Sequence, residues 1–276
     1  MKRAVILIAV VCTLAFSAAA QRLALLQPVK EGGIPGFANS LGSDIAKHKR
    51  VIDTDLAESA YRSVEIADPF NMSADEARRV GSVVGCDRFL ILRSALQRRA
   101  ATGSDFYFEA YAVTYLVDCR SGLLLNWRLT NSEAKTEAEA IQGLLDKAAG
   151  LAVGIANHKV GPRVDVPEFP EPPPENSPDF AGLKLPVPYK RIRPEYTATA
   201  ALYSVKATVD IEVDIDAEGR IASSRIVRWA GFGLDESVER AVRSMNWRPA
   251  MRNGKSLPMR VLLRYNFRKV EKDEEA

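Results

Sequence analysis

The sequence predicts an α+β protein of two domains. The first is an N-terminal α/β sandwich-like domain with an antiparallel meander, and the second is a C-terminal ββαβ unit. Three observations carry this. The chain has 276 residues, 47% hydrophobic and 26% charged, enough apolar surface for a core in each of about two domains. Seven prolines fall in the seventeen residues 162–178, between two patterned regions. Beyond them, strict apolar–polar alternation gives way to a helical period and then returns, which is the periodicity of strand, helix and strand. Composition also excludes classes. No run of about 20 apolar residues suits a polytopic membrane protein. A net charge of +3 is too mild for a nucleic-acid binder, and two histidines and three cysteines leave little for a metal site or a thiol enzyme.

Residues 1–20 read as an export signal. Met1-Lys2-Arg3 is basic, Ala4 to Phe16 is an apolar run of 13 residues, and Ser17-Ala18-Ala19-Ala20 supplies the small side chains of a cleavage site. The alternative is an uncleaved membrane anchor, for which the apolar run is short. Cys12 lacks the flanking residues of a lipoprotein site. Cleavage would leave a chain starting at Gln21, with Cys86 and Cys119 in a compartment that permits disulfides.

The N-terminal domain is expected over 21–160. Leu23 to Leu26 is a short strand. Ser73-Ala74-Asp75-Glu76 is a capping box that starts a helix ending near Gly85. Phe89 to Leu92, Phe106 to Val117 and Leu123 to Leu129 form a meander, with turns at 102–104 and 120–122. Thr130 and Glu133 suggest another capping box. The helix expected after it has an apolar face at Ala134, Ala138, Ile141, Leu145, Ala148, Leu151, Ala152 and Ile155. Residues paired across a hairpin share a nearly constant index sum, and the turn near 102–103 sets it near 205. Cys86 and Cys119 share that sum, so they should face each other at the hairpin's open end and form a structural disulfide. The alternative is two reduced, buried thiols.

Chemistry is scarce. Asp53-Thr54-Asp55 spaces two carboxylates but lacks the rest of a calcium loop. His48 sits in the basic stretch Lys47-His48-Lys49-Arg50 and reads as a surface residue. Tyr107, Tyr111 and Tyr115 share one face of the long strand, opposite Phe106 and Phe108. Such a stripe either binds sugars or peptides or, more often, packs beneath a helix with its hydroxyls at the rim. No nucleophile elbow, phosphate loop, CxxC or HExxH is present. No catalytic residue, metal site or cofactor is therefore expected.

Residues 161–183 read as a Pro-rich linker, whose seventeen residues 162–178 favour extended polyproline II and reach roughly 50 Å at most. The rival role is a ligand for a proline-recognising module.

The C-terminal domain is expected over 184–276. Ala207, Val209, Ile211, Val213 and Ile215 alternate with polar residues, Asp216 to Gly219 turns, and Arg220 to Val227 returns. Leu234, Val238, Ala241, Val242 and Met245 form one face of a helix stopped at Trp247-Arg248-Pro249. Asn253-Gly254 turns. The last strand places Met259, Val261, Leu263, Tyr265 and Phe267 on one face and Arg260, Leu262, Arg264, Asn266 and Arg268 on the other. Those arginines either attract an acidic partner or protect an exposed edge.

These residues resemble the TonB C-terminal domain family over about 190–269. The motifs are Pro194-Glu195-Tyr196, the strand ending Asp214-Ile215-Asp216-Ala217-Glu218-Gly219-Arg220-Ile221, Gly231-Phe232-Gly233-Leu234-Asp235, Ala241-Val242-Arg243, Trp247-Arg248-Pro249-Ala250 and Asn253-Gly254-Lys255. Thr197 replaces the family's usual proline, and Ser204-Val205 its usual Glu-Gly. Residues 22–158 resemble the CsgG and TolB N-terminal type of periplasmic α/β domain through Gly85-Cys86-Asp87-Arg88-Phe89-Leu90-Ile91 and Asp118-Cys119-Arg120-Ser121-Gly122. That resemblance implies a scaffold or assembly role.

The TonB resemblance implies protein binding by strand addition. The matching segment is Met259, Arg260, Val261, Leu262, Leu263, Arg264, Tyr265, Asn266 and Phe267. The expected protein is therefore a non-enzymatic periplasmic adaptor. Its partner would be a cell-envelope protein such as an outer-membrane receptor, or a second copy of the chain through the last strand, and not nucleic acid. If the N-terminus stays uncleaved, the alternative is an inner-membrane-anchored transducer of energy for outer-membrane transport. A small fold retained for packing and a cell-wall hydrolase are the other readings. Charge divides with the domains: residues 184–276 hold 18 basic and 13 acidic side chains, net +5.

Overall fold

The structure, a computed structural model, describes residues 21–101, 104–159 and 169–269. The expected export signal, with Cys12, the tip of the first meander turn and the start of the proline strap lie outside them. The N-terminal domain runs β1 (Arg22–Leu26), α1 (Phe37–Ala46), β2 (Arg50–Val51), α2 (Thr54–Arg62), α3 (Ala74–Val84), β3 (Arg88–Ala101), β4 (Ser104–Asp118), β5 (Leu124–Ala134), α4 (Glu137–Leu145) and α5 (Ala148–Ala156). Its five strands form one sheet in the order β2-β1-β3-β4-β5. β1 lies parallel to β2 and β3, and β3, β4 and β5 make the expected antiparallel meander.

Both faces of this sheet are covered, which is why its strands carry near-continuous apolar runs. On one face Leu23, Leu25, Leu90, Leu92 and Ala112 meet Phe37 and Leu41 of α1, Leu144 of α4 and Leu151 of α5. On the other, Leu26, Phe89, Ile91, Val113, Tyr115 and Val117 meet α2, α3 and the C-terminal domain.

Several local expectations change. Helices α1 and α2 had no counterpart in the sequence reading. Asp53, weighed as a metal ligand, accepts from Leu56 N–H as the N-cap of α2. The box at Ser73 and Glu76 caps α3 as expected, and Gly85 ends the helix. The box at Thr130 and Glu133 does not form. Those residues pair with Ala112 and Glu109 of β4, because the cross-strand ladder carries β5 on to Ala134. The cap is Thr136, which accepts from Glu139 N–H. The single helix expected afterwards is two, broken between Leu145 and Ala148. Ala140 and Leu144 are buried and Ala138 is exposed.

The C-terminal domain follows: β6 (Leu183–Lys184), β7 (Val187–Pro188), α6 (Ala198–Leu202), β8 (Ala207–Ile215), β9 (Ile221–Arg228), α7 (Leu234–Arg243), β10 (Trp247–Arg248), β11 (Ala250–Arg252), β12 (Lys255–Leu257) and β13 (Met259–Phe267). Its main sheet has the order β13-β8-β9. The buried face, Val209, Ile211, Val213 and Val261, lies in one core cluster with Leu234, Val238 and Val242 of α7. Asn253-Gly254 closes the β11–β12 hairpin with both residues at positive φ.

The two domains are not held apart by a spacer. One hydrophobic cluster runs through both, from Tyr61, Met72 and Tyr115 to Trp229, Phe232 and Val261. The strap is also bound along its described part. A short 3-10 turn spans Pro178–Phe180, and β6 pairs with β11.

Candidate interaction surface

The last strand is the outer strand of its sheet. β13 pairs with β8 in unbroken antiparallel register, from Met259 opposite Ile215 to Phe267 opposite Ala207. Arg260 N–H points away from β8, because it donates to the carbonyl of Pro170 at 2.9 Å. In an antiparallel ladder alternate residues direct both backbone groups to the same side. The N–H and C=O groups of Leu262, Arg264 and Asn266 therefore also face outward. Side chains alternate as the sequence indicated: Met259, Val261 and Phe267 are buried, Leu263 and Tyr265 half-buried, and Leu262 is 58% exposed. The nine residues expected to bind a partner thus form one strand whose outer edge pairs with no other strand among the described residues and meets the strap at Arg260.

The arginines of this strand are occupied within the sheet. Arg260 grips Asp214 in a bidentate pair at 2.7 and 3.2 Å, and Arg264 grips Asp210 at 2.7 and 2.9 Å. Each pair is directly cross-strand, where opposite charges are favourable. Arg228 adds a contact to Asp210, and Arg225 pairs with Glu212. Burial works against the Asp214 carboxylate. Hydrogen bonds from Arg260 and Ser223 outweigh it and hold the pKa below the usual carboxylate range. The pairs lock strand register and leave both guanidinium groups engaged within the sheet.

The tyrosine stripe has a different cover from the helix expected. Tyr115 is buried, its hydroxyl donates to the Ala230 carbonyl, and its ring lies 5.3 Å from that of Trp229. Tyr111 meets Tyr203 edge-on at 4.9 Å. Glu109, on the same face, accepts from Tyr203, Arg99, Gln97 and Asn131. Asn71 completes the seam. Its side chain donates to the carbonyls of Thr208 and Trp229 and accepts from Thr208 N–H, at 2.7 to 2.8 Å. No sequence motif marks Asn71, which lies outside every periodic segment.

Cys86 and Cys119 come close just beyond the ends of β3 and β4, but one residue out of the expected register, since Arg88 lies opposite Asp118. A bulge between Arg99 and Ala101 shifts the ladder by one residue. The sulfurs are 2.9 Å apart and both cysteines are free thiols, against about 2.05 Å for a bond. The expected disulfide is therefore absent from the structure, and the hydrogen bond with the Cys86 thiol, followed by burial, raises the Cys119 pKa. His48 is exposed. Among the described residues no cluster of three or more metal-ligating side chains occurs.

One carboxylate gives a pH-dependent signature. Asp235 is 8% exposed at the start of α7 and accepts from Ala230 and Gly231 N–H. Burial raises its pKa to about 7, against those two hydrogen bonds and with help from Glu236 and Glu239. A folded pKa above the unfolded value means stability fully present below the ordinary carboxylate range and lost as pH rises through about 7. Acidification from pH 8 to 6 should then stabilise the protein by about 1 kcal/mol through this group. His158, with its pKa lowered by burial and Arg88, opposes this in the same window. The test is therefore the difference between wild type and Asp235→Asn in melts at the two pH values. Equal pH slopes would contradict the assignment.

A three-stranded antiparallel sheet backed by one helix, with its last strand on the outside, defines a small α+β module. Residues 192–268 match the family model of the Gram-negative bacterial TonB protein C-terminal domain, and this segment belongs to the TonB C-terminal domain family. Such domains are protein-interaction domains of the Gram-negative envelope. The solution structure of the Pseudomonas aeruginosa TonB C-terminal domain is similar at 22% identity, over 33% of this chain and 90% of that one, with a TM-score of 0.27. A lipoprotein from Neisseria meningitidis is similar at 15% identity, over 49% of this chain and 96% of that one, with a TM-score of 0.34. The PelC dodecamer subunit from Paraburkholderia phytofirmans is similar at 8% identity, over 51% and 89% of the two chains, with a TM-score of 0.29. No curated protein matches the chain.

Proposed function

We propose that the protein is a non-enzymatic periplasmic adaptor that binds an extended segment of an envelope partner by strand addition to β13. The observation that carries this reading is the outward row of backbone donors and acceptors at Leu262, Arg264 and Asn266, on a strand whose register is locked by Arg260–Asp214 and Arg264–Asp210. A strand that cannot slip offers a partner one fixed template. The N-terminal domain serves as its scaffold.

The test is capture of outer-membrane proteins by the full chain and by Leu262→Pro. The full chain is the right reagent, since the C-terminal domain shares its core with the N-terminal one. Proline removes an outward donor and leaves the β8-facing bonds in place. Retained capture by a folded Leu262→Pro protein would refute strand addition. Export has its own check: the mature protein should begin at Gln21, whereas a chain beginning at Met1 would mean an anchored form. Among the described residues no helix is long and apolar enough to cross a membrane.

A further inference from the structure

The open edge of β13 already holds one occupant, the proline strap. Pro170 accepts the outward N–H of Arg260 at 2.9 Å. Glu171 lies near enough to Arg260 to favour its charge, and lines one groove with Asp210, Glu212, Arg260 and Leu262. The strap is fastened just downstream. Ser177 N–H donates to Pro174, Arg252 donates to the Asp179 carbonyl, and Phe180 packs beside Leu183, Ala250 and Met259. Residues 169–180 therefore run from the head of β13 to a fixed anchorage.

The chemistry of this occupant is one-sided. Residues 170–174 are Pro-Glu-Pro-Pro-Pro, and proline has no N–H. Across those five positions only Glu171 can donate from its backbone. The strap can accept from an edge strand but cannot form a ladder with it. A partner with ordinary residues would exchange donors and acceptors at Leu262, Arg264 and Asn266, and so outcompete the strap if it reached the Arg260 position as well. Two copies pairing edge to edge across Arg260 would both have to release it.

We infer that the strap is a displaceable placeholder on the head of β13: it seals Arg260 against self-pairing and aggregation and yields to a partner strand. The displacement half of this rests on strand addition as the binding mode. The occupancy half does not.

The experiment is amide hydrogen exchange, read residue by residue on the full chain. It compares wild type, Glu171→Arg, and a variant in which residues 170–174 become Gly-Ser-Gly-Ser-Gly. In wild type the Arg260 amide should exchange more slowly than the equally outward Leu262 amide. The substitutions should speed Arg260 by a few-fold to about ten-fold, the range of one modest hydrogen bond. The amides of Val261 and Leu263 face β8 and should not change, which reports that the sheet is intact. An Arg260 amide exchanging as fast as Leu262 in wild type, or unaffected by both substitutions, overturns the proposal. Capture of outer-membrane proteins should rise a few-fold in the Gly-Ser variant, and that gain should vanish when Leu262→Pro is added. Faster exchange at Arg260 with unchanged capture overturns displacement. A gain that survives Leu262→Pro removes strand addition instead, leaving occupancy to stand on the exchange data.

Discussion

Replacing Trp229 by alanine is expected to destabilise the protein by about 3–5 kcal/mol, the range for emptying a buried aromatic site. Trp229 is 1% exposed and heads the largest fully buried side chains. It lies between Tyr115 and the C-terminal core, so neither domain can close the space alone. Its backbone is pinned too, since its N–H donates to Met72 and its carbonyl accepts from Asn71. The shared cluster should make the wild-type protein unfold in one cooperative step in denaturant. Trp229→Ala should split that step in two as the domains lose their common core. A midpoint change worth less than about 1 kcal/mol would mean the seam is looser than described.

Gly122→Ala should be at least as damaging. Gly122 has φ +71°, and a Cβ there would lie 1.9 Å from the carbonyl oxygen of Ala74 and 2.7 Å from its carbon. Both are backbone atoms at the start of α3, so no side chain can swing aside. The turn is braced on its other side, where Asp118 accepts from Ser121 N–H and Oγ. Loss of about 4 kcal/mol or more follows from a backbone clash added to a left-handed conformation. Gly85→Ala is the control. Gly85 has the same φ of +71° with nothing near a Cβ, so only the conformational cost of about 1–2 kcal/mol applies. Thermal melts of the two variants should differ widely. Equal shifts would mean that the Ala74 contact is not what restricts position 122.

The ββαβ unit of the C-terminal domain was readable from its periodicity, for a local reason, whereas α6 and the short strands β6, β7, β10, β11 and β12 were not. Ala207–Ile215 and Met259–Phe267 alternate because one sheet face meets the apolar core and the other carries polar side chains, where Asp210 and Asp214 are buried beneath Arg264 and Arg260, and a period of two has few competing interpretations. Ser73 with Glu76 could be read for the same reason, since a capping box is complete within four residues. Thr130 with Glu133 shows the limit of such motifs. The same letters sit in a strand because β4, a separate element, continues to offer partners. The nearness of the two cysteines was found by arithmetic on one hairpin, although a bulge it could not foresee moves them one residue out of register and the bond itself is absent. The tyrosine stripe was visible, but not the rings of Trp229 and Tyr203 that cover it, roughly a hundred residues away. Asn71 carried no signal, because its partners Thr208 and Trp229 have meaning only once the domains dock. Likewise the arginines of β13 could not be assigned until register set Asp210 and Asp214 opposite them.

The seam at Asn71 and Trp229 also has a mechanical meaning. A strand added to β13 and drawn along its axis would load the β13–β8 ladder in shear, with all its bonds sharing the tension. From β8 the load passes to Asn71 through Thr208, and from the end of β9 through Trp229 to Tyr115 on β4. The N-terminal sheet would then carry the traction directly.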